Sequence, residues 1–251
     1  MKIHMTEPSA ESANPTAISN EKKPAPSFGR RVWQSWIKPV GIAVLTVVTF
    51  RSAVADWNDV PSQSMEPTIL IGDRIFVNKL AYDLKVPFTT WHLAEWGDPQ
   101  RGDIIIFFHP DNGQRMVKRV VGVPGDVVEM RGNILLINEK PVTYKPLPGE
   151  EVDTTELADP APWNFAAEQL GTATHAVMSQ PMRHATRSFV PRTVPADHFF
   201  VMGDNRDNSG DSRVFGFVPR GNITGEAVGL AFSLDRDRSY APRWDRFFRG
   251  F

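Results

Sequence analysis

Ser64 lies in the stretch Pro61-Ser62-Gln63-Ser64-Met65-Glu66-Pro67-Thr68, and a serine hydroxyl becomes a useful nucleophile only when a nearby group takes its proton. Histidine is the usual partner, yet His4, His92, His109, His175, His184 and His198 are scattered and none lies in a motif-bearing segment. A Ser-His-Asp triad assembled from distant positions stays open. Lys118, in Met116-Val117-Lys118-Arg119-Val120-Val121, is the stronger candidate. Strand alternation over residues 115–121 puts Met116, Lys118 and Val120 on one face and Val117, Arg119 and Val121 on the other, so Lys118 is expected to point inward among apolar neighbours. Burial disfavours the ammonium and yields a neutral amine able to accept a proton. Taken singly, residues 61–68 read as a polar turn and Lys118-Arg119 as a basic pair on a solvated strand edge.

A third stretch, Gly203-Asp204-Asn205-Arg206-Asp207-Asn208-Ser209-Gly210-Asp211-Ser212-Arg213, is rich in carboxylates. Calcium competes for it, but with Gly210 at position 6 of an EF-hand loop, Gly216 falls where a bidentate glutamate is required. Arg206 and Arg213 also bring positive charge, so no metal site and no cofactor are expected. There is no Walker A loop and no zinc-protease helix pattern. Thr68, not Lys, stands shortly after Ser64, so the penicillin-binding Ser-x-x-Lys arrangement is excluded as well.

The chain has 251 residues, a net charge of -1 and no cysteine, which argues against nucleic acid as a partner and removes disulfides and thiolate metal sites. Oligomeric state is not legible. Residues 1–28, rich in Ser, Ala, Pro, Glu and Lys, are expected to be a disordered cytoplasmic tail. Residues 29–57 hold a basic flank and the uncharged run 39–50; a helix from Trp36 to Trp57 would measure about 32 Å, with Lys38 and Arg51 snorkelling and tryptophans at both interfaces. Lys22, Lys23, Arg30, Arg31 and Lys38 precede the run and Arg51 alone follows it before Arg74, which places the N-terminus in the cytoplasm and the remainder across the membrane. Ala53-Val54-Ala55 has the small-x-small form of a signal-peptide cleavage site, but the apolar run starts late for one.

Residues 58–251 read as an all-β domain. Short runs at 74–78, 103–109, 115–121, 127–130, 134–137, 198–202 and 227–232 are rich in Val, Ile and Phe and bounded by turn residues. Pro124-Gly125 fits the centre of a type II turn and Arg131-Gly132-Asn133 a short hairpin loop. Residues 139–195 are expected to be a variable extension without an assigned chemical role. At the C-terminus Trp244, Phe247, Phe248 and Phe251 recur at helical spacing among Arg243, Arg246 and Arg249; such a stripe either packs on the β-domain or docks on membrane lipid.

Together with Gly72-Asp73, Arg101-Gly102-Asp103-Ile104 and Gly216-Phe217-Val218-Pro219, these stretches resemble the type I signal peptidase family, membrane-anchored serine proteases with a Ser-Lys dyad. The resemblance covers residues 60–130 and 195–232. It implies a mainly β fold, an antiparallel β-sheet catalytic domain behind one N-terminal transmembrane helix, at the bacterial inner membrane with the catalytic domain periplasmic. It implies that Ser64 attacks, Lys118 is the base, the Ser64 N–H and Ser62 hydroxyl form the oxyanion hole, and Ser209 orients the amine. Gly203 would give the lysine stem clearance, and Asp211 with Arg213 a supporting ion pair. Val60, Met65, Ile69 and Val117 match the substrate pocket, which takes small side chains one and three residues before the cut in signal-bearing precursor proteins. Asn58 stands where many relatives are apolar. A conjugative-pilus maturation protease, or a membrane-tethered β-domain that binds without catalysis, are the alternatives.

Overall fold

The computed structural model describes residues 28–29, 33–89, 91–149, 152, 154, 156–158 and 162–251. The expected tail, apart from Phe28, lies outside them, as do Lys22, Lys23, Arg30 and Arg31. The chain divides into two units after Leu45. Helix α1 (Lys38–Ala53) is preceded by a wider turn at Trp33–Ile37. Together, Trp33–Ala53 form 21 residues that contain an 18-residue stretch of mean hydropathy 1.2, long and apolar enough to cross a membrane. Val40, Val44, Leu45 and Val47 are exposed along it, the pattern of a helix whose solvent is not water.

The helix does not continue to Trp57. It ends at Ala53 and β1 (Ala55–Asp59) begins, with Trp57 paired to Phe76 of β2 (Asp73–Asn78). Asp56 holds the junction: it accepts from Arg51 at 2.5 Å and lies 3.7 Å from Lys79. Then come the hairpin β3 (Asp83–Lys85) and β4 (His92–Glu95), β5 (Ile104–Phe108), β6 (Arg115–Gly122), β7 (Val127–Arg131) and β8 (Ile134–Ile137). Residues 139–195 carry β9 (Lys140–Pro141), β10 (Thr143–Leu147), β11 (Asn164–Leu170), β12 (Ala173–Ser179) and β13 (Phe189–Thr193). The chain closes with β14 (His198–Met202), the short helix α2 (Ser212–Phe215), β15 (Val218–Pro219), β16 (Ile223–Asp235) and β17 (Ala241–Pro242).

The main sheet runs β1-β2-β16-β5-β6-β14-β15, with β17 on β16; β13-β7-β8-β9 and β10-β11-β12 form two smaller sheets. All pairings between these strands are antiparallel. The turns have the expected chemistry. Asp126 N bonds Val123 O around Gly125 at φ 87°, and Gly132 and Asn133, both at positive φ, close the β7–β8 hairpin.

Apolar runs without alternation mark strands buried on both faces. In β5, Ile104 and Ile106 join a cluster with Val60, Met65, Ile69 and Leu230, while Ile105 and Phe107 join one with Val120, Phe199 and Val201. In β14, Phe200 and Met202 turn to a third cluster holding Val121 and Val128. Strand β6 runs past all three, so a charged residue beyond its exposed start at Arg115 has little water to face.

The C-terminal stripe is not a helix. A single 3-10 turn, Trp244–Arg246, is followed by Phe248 at φ 53°, and Arg249 O accepts from Leu230 N at 2.7 Å beside β16. Phe247 turns toward Phe232, while Trp244 and Phe248 remain exposed. Arg246 is buried, its guanidinium on the Asp73 carboxylate at 2.7 and 3.2 Å. Arg246→Ala strands a buried carboxylate and should cost about 3–5 kcal/mol. Trp244→Ala and Phe248→Ala should stay within about 0.5 kcal/mol, as measured by denaturant unfolding of the three variants.

Candidate active site

Ser64 sits on the loop leaving β1, and that loop is clamped to the segment after β14. Asn205 N donates to Ser64 O at 3.2 Å, Asn205 Nδ2 to Gln63 O at 3.2 Å, and Thr68 Oγ1 to Asp204 at 2.6 Å. Gly203 permits this approach: a Cβ there would lie 2.2 Å from Ser64 O and 2.4 Å from Ser209 Oγ. The nearest atoms to that position belong to the serine loop and to Ser209.

Lys118 stands on β6 opposite Ile105 and is 2 % exposed. Its Nζ lies 2.6 Å from Ser64 Oγ and 2.9 Å from the Val117 carbonyl. Burial pulls its pKa down to about 8, against the carboxylates of Asp211 and Asp204 and with the charge of Arg213. At neutral pH about a tenth of the amine is unprotonated, and that form can accept the hydroxyl proton. Ser62 Oγ is 3.4 Å from Ser64 Oγ. Ser209 Oγ is buried and makes no hydrogen bond to the amine; the Val117 carbonyl takes that place.

Two buried ion pairs flank the amine. Asp211 accepts from Arg213 Nε and Nη2, each at 2.8 Å, and from Gly203 N at 3.1 Å. Asp204 accepts from Arg119 at 2.9 and 2.7 Å. Burial opposes ionisation of both carboxyls, but the guanidinium beside each holds it below the usual range. Sequence reasoning missed Arg119, Thr68, Asn205 and the brace behind them, where Arg206 meets Glu168 of β11 at 2.6 Å. Burial opposes the Glu168 charge too, and Arg206 holds it well below the carboxylate range. The only sequence signal was a carboxylate-rich segment carrying two arginines. Asp207, a ligand position of the calcium alternative, is engaged by Arg187 at 2.9 Å and accepts from Gln180 N.

Val60, Met65 and Ile69 are buried in one cluster with Val117 packed against it, and none of the four lines the cleft of about 420 Å³ bounded by Ser62, Ser64, Met116 and Lys118. The model of the signal peptidase family, peptidase S26, matches residues 33–232. The chain belongs to this family. Among its relatives in the family, signal peptidase I of Pseudomonas fluorescens is 38% identical over 80% of this chain and 73% of that one. The Pseudomonas aeruginosa signal peptidase I is 37% identical over the same shares. That of Leptolyngbya laminosa is 31% identical over 93% and 98%.

Membership makes this chain a serine endopeptidase, and a desolvated lysine in it is a stability defect with a pH signature. The folded pKa of Lys118, about 8, is below its ordinary 10.5, so the unfolded chain binds more protons between those values and stability rises with pH across that window. The full penalty, roughly 3 kcal/mol at most, is present below about pH 8. Lys118→Met should therefore melt higher than wild type at pH 7, and the gain should shrink toward pH 10.5, as paired melting curves will show.

Proposed function

We propose that this chain, held in the bacterial inner membrane by its N-terminal helix, removes signal peptides from exported precursors with Ser64 as nucleophile and Lys118 as general base. The contact of a buried amine with the serine hydroxyl, 2.6 Å between Lys118 Nζ and Ser64 Oγ, carries this reading. The neutral amine takes the hydroxyl proton as Oγ attacks the scissile carbonyl. The Ser64 N–H and Ser62 hydroxyl receive the developing oxyanion. The ammonium, held by the Val117 carbonyl, returns its proton to the leaving amine, and the same amine then activates water for deacylation. Ser209 orients the amine once it turns from Val117. Asp211–Arg213 supports the segment that carries Ser209.

The N-terminus is cytoplasmic and the β-domain periplasmic, by the excess of Lys and Arg before the apolar run. The Ala55–Asp56 bond lies inside β1, paired to Asn78 and Val77, which favours an anchor that is retained over a signal peptide that is removed.

The detergent-solubilised protein should cleave several unrelated signal-bearing precursors. A single dedicated substrate would point instead to a pilus-maturation enzyme, and none to a binding domain. Ser64→Ala and Lys118→Ala should each abolish cleavage without unfolding the protein, and the double variant should lose no more. Lys118→Arg should be equally inactive because guanidinium does not deprotonate at usable pH.

The wild-type kcat/KM should climb about tenfold per pH unit up to about 8 and then level. A profile flat from pH 5 to 10 would remove Lys118 as the base. Ser62→Ala should lower turnover by about a hundred- to a thousandfold.

A further inference from the structure

The cleft at Ser64 continues outward into a second cavity of about 470 Å³, and the two share Pro61, Ser62, Met116 and Lys118. The floor of the outer cavity is apolar, from Ile75, Ile106 and Val117, but its far wall is Asn58, Gln114 and Arg115. Arg115 Nη1 donates to Asn58 Oδ1 at 2.8 Å, and its guanidinium carbon lies 5.7 Å from the Phe108 ring centre. No carboxylate among the described residues pairs with this exposed guanidinium.

Nearby carboxylates are already committed. Asp59, which also lines the cavity, pairs with Arg74 at 3.1 Å and Arg236 at 2.5 Å. Asp56 pairs with Arg51 and Lys79. Burial lowers the Lys79 pKa against the pull of Asp56, and the Arg115 charge pushes it the same way. Two carboxylates thus stand among five cations, and the excess lies at the outer end of the cleft.

In an extended peptide, side chains two residues apart share a face, about 6.5 Å from one another. A residue seated beside Ser64 therefore brings the one two positions earlier into the outer cavity. We infer that this cavity accepts an acidic side chain, and rejects a basic one, on the third residue before the cleaved bond. Arg115 offers a planar fork of donors to a carboxylate. Asn58, its Oδ1 used by Arg115, offers its amide nitrogen, and the apolar floor takes the methylene stem of a glutamate. This departs from the small residue that the family resemblance implies, and Asn58 and Arg115 are the cause. The inference rests on the peptidase function proposed above.

Three forms of one precursor, with Ala, Glu or Lys at that position, test it against wild type, Arg115→Gln and Asn58→Leu. In the wild type the Glu form should be cut at least as fast as the Ala form, and the Lys form more than tenfold slower. The Glu-to-Ala ratio of kcat/KM should fall by at least about fivefold in Arg115→Gln, and 0.5 M salt should erode the wild-type ratio because Arg115 is exposed. Asn58→Leu should lower the ratio in the same direction. An equal ratio in wild type and Arg115→Gln, or a wild type that cuts the Ala form and not the Glu form, overturns the subsite. A wild type that cuts none of the three overturns the peptidase function itself and the subsite with it.

Discussion

Removing the Lys118 amine from water is the constraint around which the domain is organised. An ammonium on β6 has no solvent to turn to, because the strand runs past apolar clusters that cover both faces of its neighbours β5 and β14. That position depresses the pKa to about 8 and puts Nζ on Ser64 Oγ. Depression this far weakens the fold at neutral pH, a common relation between active sites and stability. The rest of the sheet must supply that stability elsewhere, and its long central pairings, β16 with β2 and β5, are apolar along the inner face.

A base of this kind works only if its own electrostatic surroundings are balanced. Asp211 and Asp204 stand close enough to favour the ammonium, and each is neutralised by a guanidinium: Arg213 for one, Arg119 for the other. Loss of Arg213, whose charge pushes the amine's pKa down, would leave Asp211 uncompensated near the amine and raise that pKa. Arg213 thus tunes the base without touching a substrate. Arg119 comes from the residue after Lys118, so one strand delivers the base on one face and a balancing cation on the other.

Much of this was legible in the sequence because short-range rules govern it. The β5, β6, β7, β8 and β14 runs, the type II turn at Gly125 and the hairpin at Gly132-Asn133 follow from branched and aromatic runs punctuated by residues that tolerate positive φ. The Ser64–Lys118 encounter rested on type, alternation and family likeness. What escaped was set by long-range pairing. The helix was expected to reach Trp57 because hydropathy cannot see that Asp56 joins Arg51 and Lys79 at a strand junction. The C-terminal periodicity suggested a helix, but Arg246 has a buried partner 173 residues earlier in Asp73, and that attachment outweighs the local pattern. Glu168 looked idle because its partner Arg206 lies 38 residues further on, in the irregular segment after β14.

The three-stranded sheet β10-β11-β12 meets the Asp204–Asp207 segment mainly through polar joints: Glu168 on Arg206, Met178 N on Asp204 O and Arg206 N on Met178 O. Its share of the apolar clusters described above is Leu170 and the half-buried Tyr144, beside its own buried Phe165, Val177 and Met178. Joints of this kind open as small cooperative units at a free energy below that of the whole molecule. Warming would thus detach the brace behind the serine loop while the large sheet still stands. The enzyme would then fall silent reversibly, well under its melting temperature, and its working range would be set by its most weakly fastened part.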